Sequence, residues 1–467
     1  MTDKKENQHR TDQSKRTFLK KISLGFSGLF YFLSIGKSNT IKSATSTLIP
    51  NNLSKMSWEN IRSQFQLHKN LIYFNTGTEG SIPKHVFDRF VSDLKTFTAK
   101  PTEAAFLDEN FNYYQEMNRE KMARFVGASK DEIVLTSNTT MGLNTVLFGL
   151  DYEKDDEIIT TLHDHIAESS PANILAKRRG IHLTELALPS PAKSKKQIID
   201  LFKQAINHSQ HKPKILLICN INYTTGLRMP VKELCLLARK HNMVSVVDGA
   251  HALGMFPLNL RRLGCDFYST SGHKWLNGLP GTGVLFIRDG EKNSKNLWPV
   301  LSEFYDFRDE DGKLYDIATQ MQLRGQNNTP AFSAMVAAAE YQNSIGKKKI
   351  EKRILELNDY LKKRIVETWG KKSLISPHTG RKELSSGLAS FIPKYNKRFN
   401  LNFITSIPDV LADEFGIRIR YIEFFNTKSD ERHNQKTYAL RVSTHIFNNK
   451  DQINKLIDAT NTILNRG

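Results

Sequence analysis

Short β-branched runs and helical patterns alternate through the middle of the chain. The strand-like runs fall at residues 133–136, 157–161, 215–220, 244–248, 267–270 and 283–287, and amphipathic stretches such as residues 231–240 separate several of them. This alternation predicts βαβ units and a mainly parallel sheet, an α/β architecture in which ligands gather at the carboxyl ends of strands. After Thr329-Pro330 the pattern changes. One long helix is predicted from residue 331 to about 366, then a smaller α+β region with strands at 387–392, 417–422 and 438–443 and a closing helix at 451–464. The expected organisation is a leader over residues 1–45, an N-terminal segment plus large domain over 46–330, and a linking helix with a small C-terminal domain over 331–467.

The leader has a layout of its own. Ser14-Lys15-Arg16-Thr17-Phe18-Leu19-Lys20-Lys21 precedes an apolar stretch from residue 22 to 35, and polar small residues follow. Charge, then a short apolar segment, then small residues is the layout of an export signal. The apolar stretch is shorter than the ~20 residues that span a bilayer, so no stable membrane anchor is expected. The charged part resembles the twin-arginine export signal, with Lys15 in place of the first arginine, and Ser43-Ala44-Thr45 is a poor cleavage site. Export to the periplasm is the favoured reading. An uncleaved amphipathic leader on a cytoplasmic protein is the alternative.

Composition narrows the class. Across 467 residues, 39% are hydrophobic and 25% charged, which suits a soluble globular protein of two or three domains. The formal charge of +19 raises the question of nucleic acid, but nine Lys/Arg against three Asp/Glu already lie in residues 1–45. Much of the remainder falls in runs such as Lys347-Lys348-Lys349, Lys352-Arg353 and Lys362-Lys363-Arg364, which read as a solvated helix face. No nucleic-acid-binding motif accompanies them, so no such partner is expected. Cys219, Cys235 and Cys265 lie in or beside apolar runs without C-x-x-C spacing, so they read as core thiols rather than disulfides or metal ligands.

Three short segments carry the chemistry. Ser271-Gly272-His273-Lys274-Trp275 follows the strand at 267–270 and precedes a glycine-broken segment, 278–283. A lysine at a strand end can form a Schiff base with an aldehyde, while Ser271 and His273 bind a nearby anion. Asp248 ends the apolar strand 244–248, where its carboxylate can face a protonated pyridine nitrogen. Thr136-Ser137-Asn138-Thr139-Thr140 joins a strand to an apolar helix, and hydroxyls with backbone N–H groups at a helix N-terminus form a phosphate cradle. Plain helix capping by Thr139 is compatible with that role.

In order and spacing, Asp248-Gly249-Ala250-His251 and Ser271-Gly272-His273-Lys274 resemble the class V aminotransferases. These fold-type I enzymes use pyridoxal 5'-phosphate (PLP) and include cysteine desulfurases, isopenicillin-N-epimerase-like proteins and several amino-acid lyases. The resemblance runs from about residue 73 to the C-terminus. It implies a PLP-dependent transferase fold with a mainly parallel seven-stranded sheet and a smaller α+β domain, an amino-acid substrate and a homodimer. It makes Lys274 the Schiff-base lysine and proton shuttle, Asp248 the partner of the pyridine nitrogen and His251 the neighbour of the phenolic oxygen. Thr139, Thr140, Ser271 and His273 would hold the phosphate. His165 would stack on the ring, with His163 the competing choice. Arg441 would clamp the substrate carboxylate, and the loop Asn75-Thr76-Gly77-Thr78-Glu79-Gly80 would edge the pocket.

Two departures bear on function. Gln326, in Gly325-Gln326-Asn327, stands where relatives often carry a threonine that reaches a neighbouring subunit's phosphate. No cysteine follows Cys265, whereas cysteine desulfurases carry a mobile nucleophilic cysteine late in the chain. Persulfide chemistry is therefore disfavoured, and the chain looks closest to the epimerase-like and lyase-like branches, with transamination next. A non-catalytic binding module is the competing class, and Lys274, Asp248 and Arg441 together speak against it.

Overall fold

The computed structural model describes residues 52–102, 115–288, 297–303, 306, 308, 311–394 and 401–466. The export-type leader lies outside the described residues. Twelve strands are described, in chain order β1 (Ile72–Tyr73), β2 (Ile133–Thr136), β3 (Asp156–Thr161), β4 (His182–Leu186), β5 (Lys212–Cys219), β6 (Val244–Asp248), β7 (Phe267–Ser271), β8 (Gly283–Ile287), β9 (Leu388–Phe391), β10 (Ile417–Arg418), β11 (Arg420–Phe424) and β12 (Thr437–Ser443).

Seven of them form one sheet in the order β2-β8-β7-β6-β5-β3-β4, parallel except where β8 runs against both its neighbours. Successive residues point to opposite faces, and both faces are covered. Leu216 and Ile218 pack in one apolar cluster, Ile215 and Leu217 in another. That two-sided burial is why these strands read as continuous apolar runs. β4 departs from the pattern: it is an edge strand, half-buried along its whole length, and His182-Leu183-Thr184-Glu185-Leu186 carries no apolar run.

Register positions the site. Asp248 at the end of β6 lies between Cys219 of β5 and Ser269 of β7. Thr136 pairs with Gly283, which pairs with Ser271, so the carboxyl ends of β2 and β7 meet across one intervening strand. Helix α1 (Thr139–Gly149) starts at that edge, capped by the Asn138 side chain, and α2 (Ile166–Arg179) starts beyond the end of β3.

The predicted long helix is two. Helix α3 (Thr329–Ile345) is apolar nearly all round and almost entirely buried, whereas α4 (Lys347–Trp369) is amphipathic. Gly346 between them has φ +101°, a conformation that side chains rarely adopt, and the chain turns there. The basic runs on α4 are not all solvated. Lys362 is 0% exposed, its Nζ 3.2 Å from Ser385 Oγ, and burial holds its amine down to about 8.

Beyond α4, β9, β11 and β12 form an antiparallel sheet in the order β11-β12-β9. Helices α5 (Leu401–Phe415) and α6 (Lys450–Arg466) share its core through Ile407, Leu411, Ile453 and Leu456. The predicted strand at 417–422 divides at Ile419: β10 pairs with β1, and β11 pairs with β12. Through that β1–β10 pairing the N-terminal segment joins the C-terminal region, and Asn75 bridges to Ser443. Among the described residues no helix is long and apolar enough to cross a membrane.

Candidate active site

Lys274 projects from the turn after β7, and its Nζ lies 3.4 Å from His251 Nε2. The loop from residue 75 to 80 closes over it. Gly80 N–H donates to His273 O at 2.6 Å, and a Cβ on Gly80 would fall 2.1 Å from Lys274 O, so only glycine permits this approach. Burial pulls the Lys274 amine down to about 8; Asp248 opposes the shift, while Arg441 and Arg420 add to it. Asp248 is buried too, its Oδ1 accepting from Ala250 N–H at 2.8 Å. Burial raises its carboxyl above the usual range, against the pull of that N–H and of Lys274. The two residues feel each other's charge but form no direct ion pair.

The His251 ring is oriented from behind. Trp275 Nε1–H can only donate, and it meets His251 Nδ1 at 3.2 Å. Nδ1 must therefore accept, and in the neutral ring the proton sits on Nε2, facing Lys274. Burial, then Lys274, holds His251 well below its ordinary value, so the neutral ring is the stable one. A charged Lys274 would set its N–H against that Nε2–H, a second reason for the amine to prefer its neutral form.

At the neighbouring edge the Thr139 backbone N–H donates to Ser271 Oγ at 2.9 Å, and the two hydroxyls are 2.7 Å apart. Ser269 Oγ–H donates to Thr139 O, tying α1 to β7. Thr140, next along, is exposed, and His273 is half-buried with its imidazole held down to about 4 by burial and then by Lys274. These residues form one polar rim at a helix N-terminus.

The two candidate histidines separate. His163 is fully buried, accepts from Leu188 N–H at Nδ1 and packs on Phe424. His165 caps α2, with Nδ1 accepting from Ala167 N–H at 3.1 Å, and its ring stands edge-on to Tyr223 at 5.0 Å. Burial holds His165 at about 4, helped by the charges of Lys274, Arg441 and Arg420. Only His165 faces those cations.

On the opposite wall, Arg441 of β12 is 1% exposed. Its two terminal nitrogens donate to Tyr223 O and Thr78 Oγ1, both at 3.2 Å, and its Nε has no partner. Among the described residues no carboxylate pairs with it. Thr78 also donates to Asn75 Oδ1 at 2.9 Å, which places Asn75 at the rim. The structure thus brings Asn75, Thr139, Asp248, His251, Ser271, His273, Lys274 and Arg441 around one pocket, with His165 beside them and Thr140 on its outer edge. Gln326 is exposed, away from these contacts.

Three groups lie outside the motifs. Arg420 shares Thr78 with Arg441, Tyr223 spans His165 and Arg441, and a buried acid pair, Asp164 and Glu168, lies behind Asp248. Burial, and then the negative charges of Asp164 and Asp248, raise the Glu168 carboxyl well above its ordinary value. Nothing in local sequence marks them, because each depends on cross-strand or through-space placement. The open grooves beside Arg228 and Glu351, and beside Ser190 and Phe424, hold none of the motif residues.

A family profile described as Aminotransferase class-V matches residues 72–456. The chain belongs to this family. Isopenicillin N epimerase of Streptomyces clavuligerus is 26% identical over 416 residues, covering 87% of this chain and 98% of that protein. Hercynylcysteine sulfoxide lyase of Schizosaccharomyces pombe is 26% identical over 61% of this chain and 72% of its own length. A solved variant of C-DES, with glycine covalently linked to its PLP cofactor, superposes with a TM-score of 0.70 at 20% identity, over 85% of this chain and 98% of that one. The fold is the type I PLP fold.

Proposed function

We propose that this PLP enzyme of the class V family works at the α-carbon of an amino acid as an epimerase or a carbon–heteroatom lyase. PLP is the cofactor, and the residues fit it. The wall holding Lys274 and Asp248 offers an amine and a carboxylate that face one pocket without pairing, beside a helix N-terminus lined by hydroxyls. When bound, PLP supplies an aldehyde for the substrate amine and a ring that withdraws electrons from the α-carbon. Asp248 would hold a proton on the ring nitrogen, and His251 would donate Nε2–H to the phenolic oxygen. Thr139, Thr140, Ser271 and His273 would bind the phosphate, and the His165 ring would cover the cofactor face. Arg441 would hold the substrate carboxylate, and Lys274, poised near neutrality, would take the α-proton.

One observation carries the reading: Arg441 is buried and without a carboxylate among the described residues, close enough to Lys274 for its charge to act on that amine. A buried cation without an anion is costly, and a substrate carboxylate would supply one. The branch follows from the thiols. All three cysteines are buried, and burial raises the pKa of each above the ordinary thiol value, so none is a ready nucleophile. Epimerisation and elimination need no thiol nucleophile: both begin with removal of the α-proton by Lys274, after which epimerisation returns a proton to the opposite face and elimination expels the β-substituent. The test is a panel of amino acids, including cysteine conjugates and sulfoxides, assayed for pyruvate, ammonia and change of chirality. Formation of protein-bound persulfide as the main product would sink the reading.

Two further proposals go with it. The homodimer expected of this family is one, checked by light scattering. The other is assembly in the cytoplasm followed by export, supported by the Lys15-Arg16-Thr17-Phe18-Leu19-Lys20 motif and by a site whose parts, from Thr139 to Arg441, meet only after folding. Cytoplasmic retention of both the native protein and Arg16→Gln would rule export out.

A further inference from the structure

Arg420 lies directly opposite Arg441 in the β11–β12 ladder. Residues paired in that way share one face of a sheet, and like charges there are destabilising. The two guanidinium groups are in fact drawn together: Arg420 NH1 donates to Thr78 Oγ1 at 3.3 Å, and Arg441 NH2 to the same oxygen at 3.2 Å. Neither makes an ion pair among the described residues. Asp248 and Glu79 are the acids whose charges act on Lys274. The pocket therefore holds three basic side chains on converging walls, and Asp248 is committed to the cofactor side.

A single α-carboxylate uses one arginine fork. Arg441, the buried one, is placed for it. Arg420 is half-buried at the rim; with its Nε bonded to Tyr421 O and NH1 to Thr78 Oγ1, NH2 is left for a ligand that extends outward. We infer that Arg420 reads a second anionic group, so that the substrate is an amino acid whose side chain ends in a carboxylate or sulfonate. The inference rests on the proposed function in one respect, that Arg441 takes the α-carboxylate. Two cations face each other because the ligand brings two anions. Thr78 holds both forks in place, and the repulsion between them falls when the ligand binds.

The experiment is a binding comparison on the PLP-loaded protein. Dissociation constants for L-glutamate against L-glutamine, L-aspartate against L-asparagine, and L-cysteate are read from the cofactor absorbance. Glutarate against its half-amide is read by calorimetry, which needs no chemistry at the α-carbon. The acidic member of each pair should bind about tenfold more tightly, the scale of one charge-assisted hydrogen bond. Arg420→Gln should erase that preference, and Arg420→Lys should keep part of it. The carboxylate and sulfonate arms say which anion is preferred. Equal binding of acidic and neutral members, or a preference that survives Arg420→Gln, would overturn the inference. If glutarate binds with an Arg420-dependent preference while no amino acid alters the absorbance, the anion subsite stands and the proposed function fails.

Discussion

The two walls of the pocket are built in opposite ways. The wall from β2, β6 and β7 carries Thr139, Asp248, His251, Ser271 and Lys274 within a few residues of strand ends in one buried sheet, and its charges are balanced within the wall: Asp248 against Lys274, with His251 kept neutral by Trp275 and burial. The wall from β11, β12 and the loop at 75–80 collects Thr78, Arg420 and Arg441 from segments more than 300 residues apart, joined by the β1–β10 pairing. Its charges are not balanced. A wall that neutralises itself suits a permanently held cofactor, and a wall left positive suits an anion that comes and goes.

That contrast can be broken at its strongest point first. Lys274→Ala should lower turnover by at least about 10²–10⁴-fold, the range attributed to a positioned acid–base group. It should also remove the borohydride-reducible link between protein and PLP while leaving the fold intact. A reduced adduct found on another lysine by mass spectrometry would move the chemistry away from this wall. Arg441→Ala comes next. Loss of the buried charge partner should cost about 2–5 kcal/mol of amino-acid binding, with the cofactor still bound and its spectrum unchanged. Normal substrate affinity in that variant would mean that the positive wall serves structure rather than recognition.

The same contrast explains what the sequence makes legible. Asp248, Ser271 and Lys274 are readable because each follows a short apolar run, and a parallel sheet collects such strand ends along one edge. The strands themselves are readable because both faces are buried; β4 escapes because an edge strand needs no apolar run. The division of the long helix at Gly346 escapes because helical periodicity continues on both sides of the glycine. Lys362 escapes because a basic run on a helix is ordinarily solvated, and here one member turns into the core. Arg420 is the instructive case. It sits within a predicted strand, and Arg441 within another, but only the register between those strands makes them neighbours. Register depends on long-range pairing, which composition and spacing leave open.

The smallest predicted effect tests how the balanced wall stays balanced. Trp275 is fully buried, and its Nε1–H reaches the back of His251. Replacing it with phenylalanine keeps an aromatic ring but removes the donor that fixes the His251 tautomer. His251 could then place its proton on Nδ1 and turn a lone pair toward the cofactor's phenolic oxygen. That oxygen would lose a hydrogen bond that favours its ionised form, so it should hold its proton more tightly and titrate at higher pH. One neutral hydrogen bond is worth about 1 kcal/mol, which moves a midpoint up by about 0.7 pH units. A pH titration of the holoenzyme's absorbance reads the shift directly, and thermal unfolding of the same variant reports separately on the packing lost around Gly387 and His445. A destabilised protein with an unmoved titration midpoint would make Trp275 a packing residue only, and would leave the His251 tautomer to be set by the cofactor itself.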